Sequence, residues 1–204
     1  MGAIIFFTTK RGERQVCVFV DKLRKRNPEN KKQVIECAKE FLNEFKNFIS
    51  EDKIDIVSVM NDIGIYTCQA EMNMEAFIAV DAEFVEKYGT TKVACVNQNK
   101  SNGFKRFAFA HELAHYIFDY DEAQKPKYYN TYNKELDSWA EERSNIFAAN
   151  VLVPEKIFTA KFEEYKSETN SMPETIKILS EFFLVSPSCI EIRIDEVLDE
   201  NEES

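Results

Sequence analysis

Phe104-Lys105-Arg106-Phe107-Ala108-Phe109-Ala110-His111-Glu112-Leu113-Ala114-His115-Tyr116-Ile117-Phe118 sets the architecture of the chain. Apolar side chains fall on almost every face of this helical stretch, and such a helix is buried at the centre of its domain. Yet it carries two imidazoles and a carboxylate, and its two His are the only ones in the chain. One turn takes about 3.6 residues, so His111 and His115 project from one face and can share a metal ion. Glu112 stands beside them, able to reach a water on that metal. Unpaired in an apolar helix, these groups would carry a large desolvation cost, which a metal removes. Two His placed at random take this spacing, with Glu after the first, about once in a thousand.

Working outward, Ile63–Ala70, Phe77–Asp81 and Lys92–Asn97 read as strands, and 98–103 as a polar turn. Residues 31–50 have apolar positions at helical spacing, and Ile54–Met60 predicts a short helix. Ile4–Thr8 and Gln15–Val20, separated by Lys10-Arg11-Gly12-Glu13, predict a hairpin. The basic run Lys22–Lys32 reads as a solvated turn and helix start, with a partner-docking patch as the alternative. Downstream, 119–135 reads as a surface loop and Leu136–Val153 as a second strong helix, stopped by Pro154. Another helix follows at 155–166. Ser171 and Glu174 have capping-box spacing and open a helix through about Leu184. Ser186-Pro187 opens the last helix, which ends in an acidic tail. These last two helices have helix-turn-helix spacing, but their acidity favours packing over DNA contact. The expected organisation is an N-terminal hairpin and basic connector (1–30), a core (31–154) and a C-terminal helical region (155–204).

Composition agrees with a helix-rich globular chain. It has 204 residues, 44% apolar and 13% aromatic, with only five Gly and five Pro. The net charge of −10 repels phosphate backbones and anionic membrane surfaces, so neither nucleic acid nor membrane is an expected partner. Five scattered Cys without a CxxC pair read as reduced core residues. No apolar run approaches a membrane span, and Met1 to Thr9 lacks a basic signal-peptide region, so the expected compartment is the cytoplasm.

A catalytic zinc site has three protein ligands and an open position for water. No third His remains. The best carboxylate lies in Trp139-Ala140-Glu141-Glu142-Arg143-Ser144-Asn145-Ile146-Phe147-Ala148-Ala149, where Phe147, Ala148, Val151 and Leu152 mark the buried face. Glu141 and Asn145, four apart, share a face. Glu141 would bind the metal and Asn145 could hydrogen-bond a ligand imidazole. Glu142 points about 100° away, toward solvent. These ligand types also suit Mn, Fe or Ni.

Phe107 to Ile117 resembles the core motif of the ImmA/IrrE family of zinc metallopeptidases. Glu141-x-x-x-Asn145-x-Phe147-Ala148-Ala149-x-x-Leu152-x-Pro154 is similar to that family's ExxAN-x-FAA-x-LL-x-P signature, with Ser144 for the usual Ala and Val151 for Leu. Leu179 to Pro187 is similar to its LAxxFxVS segment. The resemblance covers roughly 35–197 and implies that Glu141 is the third ligand. Many members carry a further His four residues after the second ligand. Asp119 stands there in this chain, either orienting a ligand or lying as a plain surface acid.

The expected fold is therefore α+β: a zincin-like metallopeptidase domain with a small mixed or antiparallel sheet packed on the central HExxH helix, then a C-terminal helical, helix-turn-helix-like region. The expected activity is a site-specific endopeptidase with one Zn2+ per chain, held by His111, His115 and Glu141. Glu112 acts as general base, and Asn145 and Asp119 support the ligands. The resemblance implies a protein substrate, a repressor-like regulator of a mobile element or stress response. The strands before the central helix could offer such a substrate an edge, and the acidic surface would suit a basic one. Tyr116, Tyr128, Tyr129 and Tyr132 are candidate oxyanion donors. The competing expectation is a zinc-stabilised module that sequesters or senses a partner without hydrolysis.

Overall fold

The computed structural model describes residues 12–120, 128–130 and 138–202, with side chains described over 18–120 and 138–197. Helices α1 (Gly12–Arg26) and α2 (Lys31–Glu44) come first. A two-stranded ribbon, β1 (Ile49–Ser50) and β2 (Lys53–Ile54), leads to α3 (Ile56–Asp62). Then follow β3 (Ile65–Ala70), β4 (Ala76–Val80), the short α4 (Phe84–Tyr88) and β5 (Lys92–Asn97). The central helix α5 (Asn102–Phe118) precedes β6 (Tyr128–Asn130). Helices α6 (Ser138–Leu152), α7 (Glu155–Thr169), α8 (Met172–Phe183) and α9 (Pro187–Glu202) complete the chain.

The architecture is mixed α+β, with small sheets among many helices. The larger sheet has the order β3-β5-β4-β6 and is mixed: β3 and β5 are parallel, and β4 is antiparallel to both its neighbours. Its register puts Ile65, Ala76, Ile78, Ala94 and Val96 on one buried face, and α5 lies against β4 and β5. On its other sides α5 meets α6, α1 and α3. A single cluster of buried apolar side chains runs from Val20 to Ile194. No helix among the described residues is long and apolar enough to cross a membrane.

Local sequence accounts for the helix starts. The side chains of Asn30, Asp55 and Ser101 accept hydrogen bonds from the backbone N–H groups of Gln33, Ser58 and Phe104, each satisfying a donor that the first turn leaves open. Ser171 occupies the N-cap of α8, but its side chain makes no capping bond, contrary to the expected capping box. Instead the Thr169 hydroxyl oxygen accepts from the Ser171 N–H at 3.3 Å.

Two expectations are corrected. Where the second strand of a hairpin was expected, at Gln15–Val20, the chain is helical in α1. Val20 and Leu23 are buried, with Phe19 packed beside them. Burying that helical stripe against α5 outweighs the strand preference of a short β-branched run. The proposed partner strand, Ile4–Thr8, lies outside the described residues. Second, the polar stretch read as a loop contains β6, which pairs with β4 (Ile78 opposite Tyr129). In the four-stranded sheet β4 is therefore interior, while among the described residues β3 keeps an open edge.

Four of the six cations in the basic run 22–32 are paired within the chain, to three carboxylates. Lys22 and Arg26 pair with Glu40, Arg24 with Asp21, and Lys31 with Glu196.

The start of α5 is clamped to the C-terminal helices. Arg106 donates to the carbonyl oxygens of Phe183 and Ile54, both at 2.7 Å. A Cβ on Gly103 would lie 3.0 Å from the carbonyl carbon of Val185 and 3.1 Å from its oxygen. That backbone is itself tied down, since the Val185 N–H donates to the Ser180 carbonyl. Gly103→Ala should thus destabilise the protein by about 1–2 kcal/mol despite alanine's better helix propensity. A thermal melt should show a drop of a few degrees.

Candidate metal centre

Helices α5 and α6 pack face to face, and the candidate site lies in their contact. Alanines at 110, 114, 148 and 149 are buried in the two helices, which favours close approach. His111 and His115, one turn apart on α5, are 5% and 1% exposed. Their Nε2 atoms lie 3.0 Å apart. From α6, the Glu141 carboxylate reaches both: Oε2 is 3.4 Å from His111 Nε2 and Oε1 is 3.4 Å from His115 Nε2. Ligand atoms about 2.0–2.1 Å from one tetrahedral zinc lie about 3.3 Å from each other. His111, His115 and Glu141 thus form a group that could hold a metal ion.

The Nδ1 atoms face away and are separately engaged. His111 Nδ1 lies 2.9 Å from Asn145 Oδ1, and His115 Nδ1 lies 2.7 Å from Asp119 Oδ2, with the Ser144 hydroxyl at 3.3 Å. An amide oxygen and a carboxylate only accept hydrogen bonds, so both partners favour a proton on Nδ1. That leaves both Nε2 lone pairs aimed at one region, as metal ligation requires. Asp119 is therefore no plain surface acid in this structure.

The charges also fit a cation. Hydrogen bonds from His111 and His115 pull the Glu141 carboxyl down to about 2. Burial opposes protonation of His115, but its contacts with Asp119 and Glu141 prevail and raise it to about 9. Burial pushes Glu112 up to about 8, with the Glu141 charge adding to the effect. Neither Glu112 oxygen has a hydrogen-bond partner of normal geometry, although the nearby Ile78 N–H favours its charged form. A buried carboxylate so poorly satisfied needs a reason, and a cation beside it supplies one.

Other expected residues fall elsewhere. Glu142 is not among the group that could hold a metal. The Tyr116 hydroxyl takes a hydrogen bond from Lys92 at 3.4 Å, and the guanidinium of Arg24 sits 5.3 Å from its ring. The side chains of Tyr128, Tyr129 and Tyr132 lie outside the described ones.

Arg143, which sequence reasoning passed over, is buried and forms an ion pair with Asp119. Its signal was there: Arg143 and Ser144 lie four residues before Phe147 and Ala148, on the face already read as buried.

A two-His, one-Glu centre on adjoining helices beside a buried Glu belongs to the metallopeptidase class of sites. The Peptidase_M78 family, described as the IrrE N-terminal-like domain, matches residues 61–195, and the chain belongs to that family. Membership gives it a metallopeptidase-like function and agrees with the resemblance read from the motifs. No curated protein matches the chain significantly.

Ligation requires neutral imidazoles, so a bound dication such as zinc would displace the proton on His115, and its positive charge would displace that on Glu112. Zinc uptake near pH 7 should release about two protons per chain, falling away above pH 9. Affinity should accordingly rise with pH up to about 9. Glu112→Gln should lower the release by about one proton. Calorimetry in buffers of different ionisation enthalpy measures both.

Proposed function

We propose that the chain is a zinc-dependent, site-specific endopeptidase of the cytoplasm that hydrolyses a peptide bond in a regulatory, repressor-like protein. The observation that carries this reading is the convergence of His111, His115 and Glu141 beside a buried, poorly satisfied Glu112. A purely structural metal site has no use for that extra carboxylate.

Bound zinc would supply Lewis acidity and a water of lowered pKa. The remaining work belongs to side chains. His111 and His115 present Nε2, with their Nδ1 protons held by Asn145 and Asp119. Glu141 completes the ligand set. Glu112 takes the proton of the attacking water on a carboxylate oxygen and returns it to the leaving amine nitrogen.

An extended substrate could add to the four-stranded sheet at β3, an open edge among the described residues. The net charge of −10 favours a basic partner such as a DNA-binding repressor. Cleavage of that repressor should slow as salt is raised from 50 to 500 mM; an unchanged rate would remove the electrostatic argument.

Metal analysis of the purified chain should find about one zinc, lost in His115→Ala and Glu141→Ala. Glu112→Gln should keep the metal and lose cleavage, by at least about 100-fold. If partner inactivation survives Glu112→Gln, the protein is a metal-stabilised binding module rather than a protease.

A further inference from the structure

Arg143 is 5% exposed, and its guanidinium reaches two different parts of the chain. On one side it pairs with Asp119 Oδ1, whose other oxygen, Oδ2, is 2.7 Å from His115 Nδ1. On the other, Nη1 donates to Asn27 Oδ1 at 3.3 Å. The guanidinium carbon also sits 5.3 Å from the centre of the Phe118 ring. Asn27 belongs to the turn between α1 and α2, in the left-handed region at φ 41°, a conformation Asn tolerates well. Two more bonds fix this turn and the last turn of α1 to the helices of the site. Trp139 Nε1 donates to the Pro28 carbonyl at 3.1 Å, and Arg24 Nη2 donates to the Tyr116 carbonyl at 3.2 Å.

We propose that Arg143 is a positioning residue for the metal centre, acting through Asp119 on His115 and itself held by Asn27, so that the α1–α2 turn helps set metal affinity. This rests on the metal-centre reading above. The physical argument is orientation. A lone carboxylate beside an imidazole can rotate or turn to water; one gripped through its other oxygen by a buried guanidinium cannot. The imidazole is then held with Nδ1–H on Asp119 and Nε2 toward Glu141 and His111. Partners that fix a ligand His in this way are worth about 10–100-fold in metal affinity. His111 has no such backing, since its partner is the neutral Asn145 amide. The turn at 27–28 also lies outside the residues that match the family, 61–195. These contacts tie the N-terminal helices of the chain to the candidate centre.

The test is the zinc affinity of the full chain, measured by competition with a chromophoric chelator, beside thermal melts of the metal-free protein. Arg143→Gln should weaken zinc binding about 10–100-fold, Arg143→Lys less, and Asn27→Ala by about 2–5-fold. The deciding comparison is made in Asp119→Asn. If Arg143 acts through Asp119, adding Arg143→Gln there should change affinity by no more than about twofold. The proposal is overturned if Arg143→Gln shifts only the melt and leaves zinc affinity within about twofold of wild type. It is equally overturned if Arg143→Gln costs the same factor with and without Asp119. Should Arg143→Gln not fold, Arg143→Lys and Asn27→Ala carry the same comparison against Asp119→Asn. A wild-type chain that binds no zinc overturns the metal-centre reading itself, a result distinct from either of these.

Discussion

Two imidazole nitrogens 3.0 Å apart, buried between helices, are the constraint around which the rest of the molecule is organised. With both Nδ1 atoms protonated toward acceptors, the Nε2 lone pairs face each other and repel. Something positive must stand near them. In the metal-free chain it is a proton on His115, with Glu141 held as an anion opposite. In a loaded chain it would be a cation. Either solution works only if α5 and α6 stay in register, since a shift of one residue on either helix would turn a ligand about 100° away.

That register is maintained from several sides. Phe147 of α6 meets Phe41 of α2 and Phe118 of α5 edge-on, with ring centres 5.4 and 5.3 Å apart. Such crossings gain from ring quadrupoles as well as from burial. The other face of α5 rests on the sheet, where Ile78 both fills the core and brings its backbone N–H near Glu112. At its start, Arg106 and the close approach of Gly103 to Val185 fix α5 along its axis. A ring, a sheet and a backbone contact thus restrain different degrees of freedom of one helix.

Much of this was legible in the sequence where periodicity was strong. The central helix, the helix carrying Glu141, three strands and the shared face of Glu141 and Asn145 all follow from spacing, because burial repeats with the geometry of the element. What escaped depended on partners far along the chain. Helix α1 looked like a strand because Val16, Val18 and Val20 alternate with other residues; burial of Val20 and Leu23 against α5 decides otherwise. Strand β6 exists by pairing with β4, which no local pattern in 128–130 reveals. Arg143 lies on the face read as buried, but its partners Asp119 and Asn27 show in no local pattern.

The charges at the centre explain how a third carboxylate, the part-buried Asp119, is tolerated there. An added buried carboxylate beside Glu112 and Glu141 would raise the electrostatic cost of the cluster steeply. Arg143 removes one negative charge through its pair with Asp119. A bound dication would balance the remaining two, on Glu112 and Glu141, and leave the cluster neutral. Without the ion, protons on His115 and Glu112 achieve the same neutrality near pH 7, in line with their upward shifts. A dication filling the site would thus replace two protons at constant charge.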